Sequence, residues 1–107
     1  MTPTQRSIAH MKARGYTVAI VEKWNQFARI RQDLFGFGDL LCIQEHCPPV
    51  MVQTTSSGVS ARLKKIADEP RHITWMKAGC KIEVHGWTKK GAKGKRKTYQ
   101  IRIVEVS

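Results

Sequence analysis

Two short apolar runs, separated by a turn that no strand can cross, constrain this chain most. Asp39-Leu40-Leu41-Cys42-Ile43 and Val50-Met51-Val52-Gln53-Thr54-Thr55 lie on either side of His46-Cys47-Pro48-Pro49. Proline cannot donate to a β-ladder, so the paired prolines mark a turn. Runs this short and apolar on both faces, bounded by Gly38 before and Ser56-Ser57-Gly58 after, read as buried strands. The short connection makes them a hairpin, in which the start of one strand lies beside the end of the next. Asp39 and Gln53 are then neighbours at one edge of a sheet.

Other elements follow from caps and periodicity. Thr2-Pro3-Thr4-Gln5 is a helix start: Thr2 caps, Pro3 suits the first helical position and Gln5 completes a capping box. Ile8 and Met11 give that helix an apolar face, and Gly15 stops it. Tyr16-Thr17-Val18-Ala19-Ile20-Val21-Glu22 is β-branched and apolar on both faces, the pattern of a buried central strand. Residues 23–37 show no clean period and read as a long irregular loop, in which Phe35 and Phe37 are anchors against the sheet. Val59, Leu63 and Ile66 share one face of a helix over residues 59–67. A shorter helix begins at Pro70 and ends at Gly79. Residues 80–87 alternate, with Ile82 and Val84 set against Lys81, Glu83 and His85, and residues 99–106 alternate too. The resulting order, α-β-β-β-α-α-β-β, predicts an α/β fold with a mixed central β-sheet flanked by helices.

A chain of 107 residues with 41% hydrophobic content suffices for one core, so a single domain over residues 1–107 is the default. Its 19 Lys+Arg against 8 Asp+Glu give a formal charge of +11, which points to a polyanionic partner. The densest cationic stretch is Lys89-Lys90-Gly91-Ala92-Lys93-Gly94-Lys95-Arg96-Lys97, between the two last strands. Lys89, Lys90, Lys93, Lys95, Arg96 and Lys97 on such a tip can follow a phosphate backbone in a salt-sensitive way. The bland alternative is a solvated hairpin whose charges prevent edge pairing. No apolar run reaches membrane-span length, no secretion signal opens the chain, and no amphipathic apolar helix accompanies the basic run, so no membrane partner is expected. Cys42, Cys47 and Cys80 form neither a disulfide framework nor a zinc ribbon, which suggests a reducing cytoplasm. The four histidines lack zinc spacing, and Cys42 reads as a small buried hydrophobe.

The chemistry concentrates where the strands end. Asp39, Gln53 and Glu22 offer oxygens that can converge on Mg²⁺, a hard cation that prefers such ligands. The same groups can instead merely satisfy strand-end backbone. Asp33 either joins Glu22 and Asp39 in a three-carboxylate site or pairs with Arg29 or Arg31 across the loop; the ion pair is the favoured expectation.

Gly38-Asp39-Leu40-Leu41-Cys42-Ile43, then Val50-Met51-Val52-Gln53-Thr54-Thr55, then a basic helix, resembles the PD-(D/E)xK nuclease superfamily. It is especially similar to small archaeal-type Holliday junction resolvases and their phage-encoded relatives, and the resemblance covers most of the chain. It implies a restriction-endonuclease-like core and Mg²⁺- or Mn²⁺-dependent cutting of DNA, duplex or branched. It also implies that Asp39 is the metal-binding aspartate and Glu22 an upstream acid. Gln53 stands at the second acid, the Thr54 carbonyl is a further ligand, and Thr55 stands where the lysine stands. Gln53 and Thr55 depart from the motif: one loses a negative charge, the other the lysine's positive charge. Lys65 or Lys64 on the following helix can take the lysine's place, with Arg62 on the backbone. A homodimer would set two sites against two strands. For a phage-encoded chain the compartment would be the host cytoplasm. The rival expectation is a catalytically inactive nuclease-fold protein that binds nucleic acid without cutting; a protein inhibitor is a third.

Overall fold

The computed structural model describes residues 1–91 and 98–107. Helix α1 (Pro3–Ala13) starts with the expected capping box: Thr2 Oγ1 accepts the Gln5 N–H at 3.1 Å, and Gln5 Oε1 accepts the Thr2 N–H at 2.9 Å. The chain turns at Gly15, whose φ of +93° suits a residue without Cβ. Strands β1 (Thr17–Ile20), β2 (Lys23–Asn25), β3 (Ile30–Gln32), β4 (Leu40–Ile43) and β5 (Val50–Thr55) follow. Helices α2 (Val59–Ala67) and α3 (Arg71–Lys77) then cross to β6 (Lys81–Lys90), which pairs with β7 (Thr98–Glu105).

The main sheet has five strands in the order β1-β4-β5-β6-β7. β1/β4, β4/β5 and β6/β7 are antiparallel, whereas β5/β6 is parallel, as a helical crossover requires. This is the expected mixed sheet flanked by helices. Alternation along β5 sends Val50 and Val52 to one face, where they pack with Met11, Leu40 and Cys42 beneath α1. Met51 goes to the other face, with Phe37, Val59, Ile66, Ile82 and Val84.

Three expectations need correction. Within the 16–22 stretch, β1 is an edge strand that among the described residues pairs with β4 alone, and Ile20 is 61% exposed. Its apolar character does not earn it the centre, which belongs to β5, buried at every residue. Residues 23–37 are not irregular: β2 and β3 form a separate antiparallel ribbon, so the order is α-β-β-β-β-β-α-α-β-β. The ribbon lies off the sheet with both faces in solvent, so no burial pattern marks it in the sequence; Trp24, Phe27 and Ile30 are all exposed. Of the two phenylalanines, only Phe37 is a buried anchor.

Gly38 sits where β4 is about to begin, and a Cβ there would meet Met51 Sδ at 2.2 Å and Cγ at 2.7 Å. Met51 is fully buried and cannot withdraw. Gly38→Ala is therefore expected to cost about 1–3 kcal/mol by overpacking, read as a lower melting temperature in a circular-dichroism melt. Among the described residues, no helix is long and apolar enough to cross a membrane.

Candidate metal centre

Strand pairing brings three acids to one end of the sheet. Ile20 pairs with Leu40, and the Val21 N–H donates to the Asp39 carbonyl at 3.0 Å, so Glu22 follows directly beside Asp39. The chain between Asp33 and Asp39 closes on itself. The Leu34 N–H donates to the Gly38 carbonyl at 2.9 Å, the Gly38 N–H returns to the Leu34 carbonyl at 3.0 Å, and Phe37 anchors the turn in the core. The two aspartates at its ends thus meet. One oxygen from each of Glu22, Asp33 and Asp39 lies within 4.8 Å of the others.

Asp39 Oδ2 accepts three hydrogen bonds: from Gln53 Nε2 at 2.8 Å, from the Thr54 N–H at 2.8 Å and from Thr54 Oγ1 at 3.3 Å. Burial, with Asp33 and Glu22 alongside, nonetheless pushes the Asp39 carboxyl up to about 7 against the pull of the Thr54 N–H. Gln53 is the predicted neighbour of Asp39, only 1% exposed, and its Oε1 has no hydrogen-bond partner. Three crowded carboxylates form a donor set that suits a hard divalent cation, while Gln53 holds Asp39 through its Nε2 and does not line the cleft. Thr54 is present through its N–H and hydroxyl, which hold Asp39. Thr55 Oγ1 accepts the Gly58 N–H at 3.0 Å, within the turn that leads into α2.

Asp33 corrects the expectation of a partner on its own loop. Its carboxylate pairs with Lys65 of α2, not with Arg29 or Arg31, and it joins the acid cluster as well. Arg31 pairs instead with Glu22 at 2.9 Å. The two aspartates bracketing Leu34-Phe35-Gly36-Phe37-Gly38 were the signal for this closed turn. A cleft of about 420 Å³ is lined by the three acids, Arg31, Arg62, Lys65 and the start of α1 at Pro3 and Thr4. Lys64 lies outside it, paired with Asp68 at 3.0 Å on the exposed side of α2. Thr55 pairs with Gly86, so β6 runs on past the acid-bearing end of the sheet to the exposed Lys89 and Lys90. Lys93, Lys95, Arg96 and Lys97 lie outside the described residues.

A second polar cluster lies under α1. Ser7 Oγ is 2.9 Å from His85 Nδ1, and His85 Nε2 is 2.9 Å from Glu83 Oε1. Arg14 donates to both Glu83 oxygens at 2.8 and 3.0 Å, and Trp87 Nε1 donates to Ser7 Oγ at 2.8 Å. The serine–histidine–carboxylate line looks nucleophilic, but Ser7 and His85 are fully buried, so it is a packing network. Sequence alternation set Glu83 and His85 opposite the core; both faces of β6 are covered, and these two side chains fill the α1 side.

Comparison with protein-family models, curated proteins and solved structures gives no match.

Proposed function

We propose that this chain is a metal-dependent endonuclease that hydrolyses DNA phosphodiesters, with a core of the restriction-endonuclease type. The observation that carries the reading is the meeting of Glu22, Asp33 and Asp39 within 4.8 Å in a cleft edged by Arg31, Arg62 and Lys65. Two further features support it. One is the order of helix, three antiparallel strands, helical crossover and parallel fourth strand, with the acids at the strand ends. The other is the +11 charge, which favours a phosphate polymer over a small neutral substrate.

The carboxylates of Glu22, Asp33 and Asp39 would hold Mg²⁺ or Mn²⁺. Bound there, the cation would supply Lewis acidity at a phosphoryl oxygen and acidify a water. Gln53 and the Thr54 N–H orient the Asp39 carboxylate. Lys65, at the rim beside Asp33, can screen a phosphate's charge, which is the role left vacant by Thr55. Arg62 makes no ion pair among the described residues and can bind a non-bridging phosphate oxygen. One feature favours the rival, a nucleic-acid-binding protein that does not cut: residue 53 is an amide rather than an acid.

Incubation with labelled single-stranded, duplex and four-way-junction DNA separates the two. Cutting in Mg²⁺ or Mn²⁺ that stops in EDTA is the expected result. Tight binding with no product under any cation would leave only the rival.

A further inference from the structure

The acid cleft shares walls with two neighbouring hollows. It shares Glu22 and Arg31 with a hollow of about 290 Å³ lined by Ile20, Lys23 and Trp24. On the other side it shares Arg31, Asp33 and Lys65 with a hollow of about 430 Å³ lined by Phe35 and Arg71. That hollow continues past Phe35 into an apolar slot of about 240 Å³ formed with Thr74 and Trp75. Cationic side chains thus form walls shared by neighbouring hollows, with Trp24 lining the hollow that shares Glu22 with the acid cleft and Phe35 the one that shares Asp33.

The two rings are costly to leave in water. Trp24 is 60% exposed and Phe35 44% exposed. Phe35 also adopts φ +54°, a left-handed conformation that a bulky residue rarely takes. The turn buries Phe37 and turns Phe35 outward, with the Arg71 guanidinium, itself paired with Glu69 at 2.6 Å, 5.8 Å from its ring centre. Strain that holds an aromatic ring in solvent beside a site is the kind that functional contacts retain.

We infer that the acid cleft and its two neighbouring hollows bind an unpaired nucleic-acid strand, with bases next to the reacting phosphate stacked on Trp24 and on Phe35. This rests on the nuclease reading for the identity of the reacting phosphate, and names its substrate as single-stranded. Bases inside a duplex are already stacked and turn only their edges outward, so they cannot use an aromatic face. An unpaired strand offers both base faces and a phosphate backbone, matching rings interleaved with Arg31, Lys65 and Arg71. A second copy of this chain is a poorer occupant, since it would bring its own excess of cations against the same walls.

The test reads binding without chemistry. Anisotropy of labelled oligothymidylate is followed in EDTA, beside a duplex of the same length. Trp24→Ala and Phe35→Ala are each expected to weaken oligothymidylate binding by about fivefold to a hundredfold, with duplex binding weaker and little changed. Trp24→Phe and Phe35→Tyr, which keep a ring, should retain binding, whereas a merely structural role would not require one. Alanine variants that bind the oligonucleotide like the wild type would overturn the inference, as would equal losses on duplex and single strand. Ring-dependent binding without cutting in any cation would sink the nuclease reading and leave this one standing. Cutting that is indifferent to both rings would do the reverse.

Discussion

Replacing the Asp39 carboxyl by a carboxamide, Asp39→Asn, is expected to leave the cation-free chain at least as stable as the wild type at pH 8, and to abolish its response to divalent cations. The carboxyl is buried beside two other acids, and its ionised form is the unfavourable one. An amide oxygen can still accept the hydrogen bonds from Gln53 and Thr54, without the charge. Melting in EDTA and in Mn²⁺ checks both halves: the wild type should gain melting temperature with Mn²⁺, and the variant should not. Cleavage in Mg²⁺ should fall by about a thousandfold or more, since a well-placed cation contributes several kcal/mol at the transition state. A wild type whose melting is untouched by millimolar Mg²⁺ and Mn²⁺ would refute the metal centre.

The same carboxyl sets a pH dependence. Its pKa is raised from the ordinary carboxylate value to about 7, so the folded chain holds a proton that the unfolded chain releases. The stability from this group is therefore fully present below the ordinary carboxylate range, and is lost as pH climbs to about 7. Cation binding runs the opposite way. The Mn²⁺-induced rise in melting temperature should grow between pH 5 and pH 7 and level off above, as protons cease to compete.

The second large effect is in folding. Glu83→Ala should destabilise the chain by roughly 3 kcal/mol, at the low end for breaking a buried ion pair because the Arg14 side chain keeps 35% of its surface in water. The substitution strands the Arg14 guanidinium and the buried His85 Nε2 together. Burial alone would raise the Glu83 carboxyl, but hydrogen bonds from His85 and Arg14 hold it down to about 2. Its stabilisation is thus present above the ordinary carboxylate value and lost as pH falls from there toward about 2. Urea titrations of wild type and variant at neutral pH measure the loss; a shift below about 0.5 kcal/mol, as at an ordinary surface site, would show the network to be dispensable.

Local rules made much of this molecule legible. The capping box at Thr2 and Gln5, the stop at Gly15 and the apolar face of Val59, Leu63 and Ile66 describe elements whose geometry depends on residues a few positions apart. The hairpin of residues 39–43 and 50–55 was readable because its turn carries two prolines, and with it came the Asp39–Gln53 contact. The β2–β3 ribbon was not readable, since a strand pair solvated on both faces leaves no burial pattern.

The sequence by itself determined the capping box, the stop at Gly15 and the hairpin that sets Asp39 beside Gln53, because caps, turns and alternation act over a few bonds. Only the tertiary structure decided which distant residues meet. That Asp33 takes Lys65, 32 residues further along the chain, as its partner depends on where α2 packs beside the turn pinned by Phe37. That Glu83 and His85 lie beneath α1 depends on a helix packing across β6, 69 residues from Arg14 to Glu83. Such contacts are selected by the packing of the whole core, and no window of neighbouring residues contains them.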